Sequence, residues 1–286
     1  IMIDIDKAEL NKKTLNIDIK INTDAGLFLK NINNIFGGVN TDFSRWLNFC
    51  KKLEKKYPLV LKDWNKARSL VNSYNFIDIL SEKLKGDDVI ITDMGISFTG
   101  THQTFRVKKG QRFYTNSGFA SMGWGLPAAI GACFGNSNKR VICIAGDGGF
   151  QMTNQELATV MHYKLPIKIF IYNNGGYLTI KQTQEINFNG QLMGCNDETG
   201  LSFPKYKQLG KAYDIKSICI KNQVNLRAKI NEILEYTGPV LCELIMDRDQ
   251  PNIPKSAPRK LSDGSIVRTN FEDLFPFLSE EEIKNN

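Results

Sequence analysis

Short apolar runs alternate with helical patterns along this sequence from about Phe76 onward. The runs read VIIT, VICIAG, IKIFIY, SICI and VLCELI. Strands that are apolar throughout are buried on both faces, and the helices between them supply the crossovers that parallel strands need. The sequence therefore predicts an α/β fold, a doubly wound parallel sheet with helices on both faces.

Polar and glycine clusters follow three of the predicted strands, at Thr92–Gly95, Gly146–Gly149 and Asn173–Gly176. In a doubly wound sheet, ligands bind outside the carboxyl ends of the strands. The clusters therefore predict a ligand site at this edge of the sheet.

The cluster Gly146–Gly149 has the chemistry of a phosphate site. Its glycines let backbone N–H groups approach a phosphate, and the start of the next helix, where Thr153 and Glu156 have the spacing of a capping box, favours negative charge. The Asp147 carboxylate would repel a phosphate unless a cation lay between them, which indicates Mg²⁺. The alternative interpretation is a tight turn capped by Asp147.

The asparagine pair after the next strand strengthens the metal interpretation. One helix and one strand separate it from Asp147, so adjacent parallel strands would place Asp147 and Asn174 side by side. An amide oxygen is a suitable neutral ligand beside one carboxylate and two phosphate oxygens. A simple Asn-Gly turn would not explain why both clusters occur at neighbouring strand ends.

The pattern G-D-G…N-N, within GDGGFQMTNQELATVMHYKLPIKIFIYNN, resembles thiamine-diphosphate (ThDP) enzymes of the acetolactate synthase type. The resemblance extends from Ile1 to about Asp247. It implies that Mg²⁺ is bound by the side chains of Asp147 and Asn174 and the carbonyl of Gly176. It also implies that the diphosphate and the rest of the cofactor contact a further set of residues: Gly95, Ser97, Ala120, Met122, Gly146, Gly148, Gly149, Asn174, Gly176 and Tyr177.

Two of these segments match the family in detail. The stretch NSGFASMGWGLPAAIG resembles the part beneath the thiazolium ring, which implies that Met122 bends ThDP and that Ala120 and Met122 address its aminopyrimidine through their backbones. Without the resemblance, Met122 would be interpreted as core filler. The segment Asp93–Ser97 is similar to the loop that touches the diphosphate from the other side, where the Ser97 hydroxyl is a candidate donor.

The resemblance implies a carboligase or lyase that acts on a 2-oxo acid such as pyruvate. Ile96-Ser97 and Thr183 depart from the acetolactate synthase pattern, so a 2-oxo-acid decarboxylase or C–C hydrolase of surface-polysaccharide synthesis is the alternative. Candidate substrate residues lie on the helix after Asn174: Ile180 and Gln184, with Tyr177 and Lys181 beside them. For Lys181 and Gln184, an ordinary solvated helix face is an equal alternative.

The resemblance also predicts the organisation of the chain. We expect a remnant of a central domain at 1–36, a helical connector at 37–72, the ThDP-binding domain at 73–250 and a C-terminal tail at 251–286. The chain begins at Ile1 with a strand pattern, which suggests a fragment. The glutamate that activates the aminopyrimidine in these families lies in an N-terminal domain, so the catalytic residues are unknown and we expect the fragment to be inactive.

Composition narrows the remaining classes. With 42% hydrophobic and 23% charged residues, a net charge of +7 and scattered lysines, the chain suits a globular, cytoplasmic protein without a nucleic-acid or membrane partner. The 6 cysteines form no C-x-x-C pair and are expected to be buried free thiols. The absence of a G-x-G-x-x-G motif after the first strand disfavours a nicotinamide domain. The family implies a homodimer or homotetramer, and FAD binding stays open.

Overall fold

The structure of this chain is a computed structural model that describes residues 1–38, 42–66, 68–137, 139–261, 263–269 and 273–285. The chain divides into two compact units, Ile1–Tyr57 and Pro58–Asn286. The four segments expected from the sequence stay a prediction, because nothing here tests what each of them does.

The first unit is a short βαβα arrangement followed by another helix. Its strands β1 (Met2–Asp4) and β2 (Lys20–Asn22) are parallel, and its helices are α1 (Lys7–Leu10), α2 (Ala25–Phe36) and α3 (Ser44–Lys56). The Asp6 and Asp24 carboxylates accept hydrogen bonds from Ala8 N and Leu27 N, which caps the starts of α1 and α2.

In the described part of the second unit, a parallel sheet of six strands forms the centre, with the strand order β4-β3-β5-β6-β8-β7. Its strands are β3 (Val89–Thr92), β4 (Arg112–Tyr114), β5 (Val141–Gly146), β6 (Ile167–Asn173), β7 (Lys216–Ile220) and β8 (Val240–Ile245). The apolar runs thus form the strands that the sequence predicts. The exception is β4, an edge strand that the sequence analysis did not identify.

Helices cover both faces of this sheet. The longer helices are α4 (Ser73–Lys83), α5 (Ile96–Thr104), α6 (Gly125–Gly135), α9 (Leu178–Asn187) and α11 (Leu226–Glu235); the shorter ones are α7 (Asp147–Gln151), α8 (Leu157–His162) and α10 (Tyr206–Ala212). Three-residue or four-residue 3-10 helices lie at Lys62–Asn65, Asn154–Glu156 and Asp197–Thr199. The C-terminal segment contains a short antiparallel pair, β9 (Arg259–Lys260) and β10 (Ile266–Val267), and ends in α12 (Glu280–Asn285).

Successive residues of the central strands enter two separate cores. Ile142 and Ile144 pack with residues of α4 and α11 on one face, whereas Val141 and Cys143 pack with α6, α8 and α10 on the other. This alternation follows from the two-residue period of a strand. The α/β class and the doubly wound arrangement are therefore confirmed.

The strand order reverses between β3 and β5. From β3 the chain moves outward to β4, and it then returns to place β5 on the other side of β3. A reversal of this kind leaves a crevice at the carboxyl ends of the two strands, where doubly wound proteins bind ligands. The crevice here lies between Asp93, which follows β3, and Gly146-Asp147, which end β5 and begin α7.

The cysteines and the lengths of the helices were compared with the expectations from the sequence. The cysteines are free; Cys133, Cys143, Cys195 and Cys242 are buried as expected, whereas Cys219 is half-buried and Cys50 is exposed. Among the described residues, no helix has the length and apolar character needed to cross a membrane.

Candidate functional site

The carboxyl ends of β3, β5 and β6 meet at one edge of the sheet. Thr92 on β3 pairs with Ile144 on β5, and Gly146 at the end of β5 pairs with Tyr172 on β6. The three polar clusters predicted from the sequence are thereby brought together at the crevice.

Asp147 links two of these clusters directly. Its side chain is buried, and its Oδ2 accepts hydrogen bonds from Gly175 N at 2.8 Å and Gly176 N at 3.2 Å. Burial raises the pKa of Asp147 to about 7, against the opposing effect of the backbone N–H groups around it. In the described part of the chain no salt bridge to Asp147 is present. A cation in contact with this carboxylate would stabilise its ionised form.

The structure separates the roles of the two asparagines. The Asn173 amide donates to Glu243 Oε1 at 2.6 Å and accepts from Gly175 N at 3.2 Å, so both of its ends are engaged. Asn174 is also buried, but its Oδ1 has no hydrogen-bond partner among the described residues. A buried acceptor without a partner costs about 1–3 kcal/mol, and a cation would remove that cost.

Together these oxygens fit a hard divalent cation. One carboxylate from Asp147 and one free amide oxygen from Asn174 are ligands that Mg²⁺ prefers. The third predicted ligand, the Gly176 carbonyl, belongs to a residue held by a bridge to Asn196 and by the bond from Tyr177 N to Cys195 O of 2.8 Å. A Cβ on Gly176 would lie 2.1 Å from Cys195 O, so this contact requires glycine.

The glycines after Asp147 are required by packing as well as by any phosphate. A Cβ on Gly148 would lie 2.0 Å from Cε1 of Tyr177, and a Cβ on Gly149 would lie 1.8 Å from Oδ2 of Asp93. Gly146, in contrast, has open space where its Cβ would be. The sequence argument explained these glycines only by the approach of backbone N–H groups to a phosphate.

On the β3 side of the crevice, Gly95 has a φ of 76° and precedes α5. Ser97 is buried, and its hydroxyl donates to Met94 O at 2.8 Å. This bond occupies the proton that the sequence analysis assigned to a diphosphate oxygen. The role of Ser97 at the cofactor stays a prediction.

The segment before α6 presents residues in unusual backbone conformations. Ala120 is exposed and has a φ of 53°, a left-handed conformation that costs a non-glycine residue about 1–2 kcal/mol. Met122 is half-buried, and Gly123 follows it with a φ of 83°. The backbone role of Ala120 and Met122 at the cofactor stays a prediction.

One capping prediction for this region is wrong. Thr153 precedes the 3-10 helix Asn154–Glu156, but its side chain makes no capping hydrogen bond there. Its Oγ1 donates instead to Gly123 O at 2.9 Å. A long-range contact has replaced the local one that the spacing of Thr153 and Glu156 indicated.

The candidate substrate residues on α9 differ in what they are free to bind. Gln184 donates to Met193 O at 3.1 Å and accepts from Met193 N at 3.0 Å, so its amide holds a neighbouring loop. Lys181 pairs with Asp249 at 2.5 Å. Ile180 is 39% exposed, and it is the apolar member of the set that remains available for a ligand.

Residues that the sequence analysis did not assign also shape the site. Asp93 contacts both glycine turns, and Tyr206 donates its hydroxyl to Asp147 O at 3.0 Å. The guanidinium of Arg248 pairs with Asp197 and lies beside Gly175. Asp93 stands at a strand end and was detectable from that position, whereas Tyr206 and Arg248 have no sequence signal that distinguishes them.

Comparisons with known proteins agree with this geometry. The family model of the thiamine pyrophosphate enzyme, C-terminal TPP binding domain, matches residues 93–244, which is more than half of the chain. The acetolactate synthase large subunits of Lactococcus lactis subsp. lactis (strain IL1403) and Cyanidium caldarium are 32% and 33% identical, over 95% and 91% of this chain. Acetolactate synthase 2 of Nicotiana tabacum is 30% identical over 88% of it.

These relatives are longer than the chain described here. The matches cover 45%, 44% and 39% of their lengths, so the chain spans less than half of each. The matched region nevertheless contains the ends of β3, β5 and β6 and the residues that fit a metal and a diphosphate. The chain belongs to the thiamine pyrophosphate (ThDP) enzyme family and carries its C-terminal TPP-binding domain.

Proposed function

We propose that this chain is the cofactor-holding part of a Mg²⁺- and ThDP-dependent carboligase or lyase of the acetolactate synthase type. The observation that carries the proposal is the pairing, at neighbouring strand ends, of the buried Asp147 carboxylate with the unpartnered Asn174 Oδ1. The likeness to acetolactate synthase large subunits supports the reaction class.

Different residues of the crevice would contact the metal ion and the diphosphate of the cofactor. Asp147, Asn174 and the Gly176 carbonyl would bind Mg²⁺, which neutralises the diphosphate beside Asp147. Backbone N–H groups of Gly148 and Gly149, at the start of α7, would donate to the diphosphate. When bound, ThDP supplies the carbanion chemistry by which 2-oxo acids are decarboxylated. The chain contributes placement, exclusion of water and the electrostatics of the crevice.

The substrate in this proposal is a small 2-oxo acid such as pyruvate. Of the three candidates on α9, Ile180 is the one proposed to contact it, because the side chains of Gln184 and Lys181 already have partners. We further propose that turnover needs a glutamate from a separate ThDP-binding segment, supplied within a homodimer or homotetramer in the cytoplasm. These 286 residues alone would then bind the cofactor without turning over pyruvate.

A second candidate is a 2-oxo-acid decarboxylase or C–C hydrolase with the same cofactor. It is favoured by Ile96, which is buried, and by Thr183, whose hydroxyl donates to Thr179 O. Both positions depart from the residues expected in an acetolactate synthase. Product analysis with pyruvate, on an assembly that also contains the separate ThDP-binding segment, decides between the two: acetolactate indicates carboligation, and acetaldehyde indicates the alternative.

Calorimetric titration with ThDP, in the presence and absence of Mg²⁺, tests the metal site. We expect Asp147→Ala to weaken Mg²⁺-dependent binding by a factor of about one hundred to several thousand, because loss of a buried charged partner costs about 3–5 kcal/mol. Asp147→Asn keeps the size of the side chain and removes only its charge, so it distinguishes loss of the metal ligand from unfolding of the Asp147→Ala variant. Asp88→Asn is the matched control, since Asp88 is equally buried but precedes β3 at the opposite end of the sheet. Binding that ignores Mg²⁺, or that survives both Asp147 substitutions, would contradict the proposal.

A further inference from the structure

Asp93 is a buried carboxylate to which the proposed function assigns no ligand. It follows β3, and its backbone N–H donates to Ile144 O at 2.8 Å, which fixes it against β5. Only 1% of its surface is exposed. Burial raises the pKa of Asp93, while the backbone N–H groups of Gly123 and Gly125 oppose that change. The groups that contact this carboxylate therefore indicate its role.

The two oxygens of Asp93 hold the turn that follows Met122. Oδ2 accepts from Gly123 N and Oδ1 accepts from Gly125 N, each at 3.2 Å. The carbonyl of Gly123 is held by Thr153, whose hydroxyl donates to Gly123 O at 2.9 Å. With a φ of 83°, Gly123 adopts a conformation that few other residues tolerate, and these contacts define it.

The same carboxylate touches the turn Gly146–Gly149. A Cβ built on Gly149 would lie 1.8 Å from Asp93 Oδ2 and 3.5 Å from Gly123 N. The Gly149 Cα therefore packs directly against the carboxylate, beside the Gly123 amide that the same Oδ2 accepts from. Asp93 fills the space between a turn that holds one end of the proposed cofactor and a turn that holds the other.

We propose that Asp93 is a positioning residue that sets the spacing between the Gly146–Gly149 turn and the Met122–Gly125 turn, and so the distance between the two ends of bound ThDP. The inference rests on the proposed function, because the two turns have these roles only if ThDP binds there. Met122 immediately precedes Gly123, so a shift of the Gly123 amide moves Met122 relative to the diphosphate. Displacements of about 1 Å in such groups cost on the order of a hundredfold in rate.

The test compares Asp93→Asn with Asp88→Asn. Asparagine keeps the size of Asp93 and its contact with Gly149, but it points an NH₂ group at one of the two glycine N–H donors. Asp88 flanks the other end of β3, is equally buried and pairs with Arg140 at 2.5 Å. Its replacement also removes a buried charge, but far from the two turns. A general loss of stability would therefore appear in both variants.

Two ligands separate positioning from simple binding. Magnesium pyrophosphate reaches only the Gly146–Gly149 side, whereas ThDP with Mg²⁺ reaches both turns. We expect Asp93→Asn to weaken ThDP binding about tenfold, which corresponds to one lost charged hydrogen bond, and to leave pyrophosphate binding within about twofold of wild type. Asp88→Asn should change neither. Equal weakening of both ligands by Asp93→Asn, or no weakening of ThDP, would overturn the proposal.

Hydrogen exchange in the ligand-free chain tests whether Asp93 holds the Gly123–Gly125 backbone without requiring that ThDP binds. We expect Asp93→Asn, but not Asp88→Asn, to speed amide exchange of Gly123 and Gly125. If the wild-type chain binds neither ligand, the proposed function fails, and this measurement still decides whether Asp93 holds the turn. Unchanged exchange at both glycines would overturn the positioning role whatever the ligands do.

Discussion

At the scale of single residues, the site depends on which polar atoms are already engaged. Asn173 and Asn174 are adjacent and chemically identical, yet only Asn174 keeps a buried oxygen without a partner among the described residues. Likewise the side-chain amide of Gln184, a candidate substrate-binding residue, is hydrogen-bonded to the backbone of Met193. The sequence predicted which residues form the site, and that stays a prediction; it did not predict how the hydrogen bonds of these residues are distributed.

The two glycines that flank Asp147 should respond differently to a methyl group. Gly148→Ala places a Cβ on the Tyr177 ring, and we expect it to lower the free energy of unfolding by about 1–3 kcal/mol. Gly146→Ala is the matched control, because its Cβ meets open space and its φ of −75° suits alanine. Urea unfolding of the two variants measures the difference. Equal stability of both would show that Tyr177 moves aside at no cost.

At the scale of secondary-structure elements, the sequence was most informative where the pattern is long and apolar. The strands β3, β5, β6, β7 and β8 lie where the apolar runs predicted them, because each is buried on both faces. The edge strand Arg112–Tyr114 was missed, since its burial is partial and three residues carry no clear period. The capping box at Thr153 was wrong because its hydroxyl reaches Gly123 instead.

Helix α6 offers a prediction of its own, because its glycines have opposite surroundings. Gly131 is exposed with open space at its Cβ, so Gly131→Ala should raise the free energy of unfolding by about 0.5–1 kcal/mol through helix propensity. Gly125→Ala should instead lower it by about 1–3 kcal/mol, since its Cβ would lie 2.9 Å from Asp93 Cβ. Thermal unfolding monitored by circular dichroism distinguishes the two. A stabilised Gly125→Ala variant would refute the packing argument.

At the scale of the whole molecule, the chain consists of two units with unequal content. Both hydrophobic cores and the proposed metal and diphosphate residues belong to Pro58–Asn286, whereas helices α2 and α3 of Ile1–Tyr57 contain no buried residue. The stability of the sheet and the proposed cofactor site therefore depend on contacts within the second unit.

A chain of residues 58–286 should keep its fold and its affinity for Mg²⁺ and ThDP. We expect its dissociation constant to match that of the 286-residue chain within about twofold, because every proposed cofactor residue lies within Pro58–Asn286. Calorimetry on both proteins, alongside their thermal unfolding curves, makes the comparison. Loss of cooperative unfolding in the shorter chain would mean that the second unit needs residues 1–57 to fold.

The sequence by itself determined the parallel sheet, the gathering of polar clusters at one edge of it and the family to which the chain belongs. These features are written in local patterns: the burial of whole strands and the polar clusters that end them. Only the tertiary structure decided which of these groups remain free. A side chain at position 149 would clash with Asp93, the Gln184 amide is hydrogen-bonded to the Met193 backbone, and the Thr153 hydroxyl donates to the Gly123 carbonyl. Except for the Gln184 contact, these link residues far apart along the chain, and no local pattern records them.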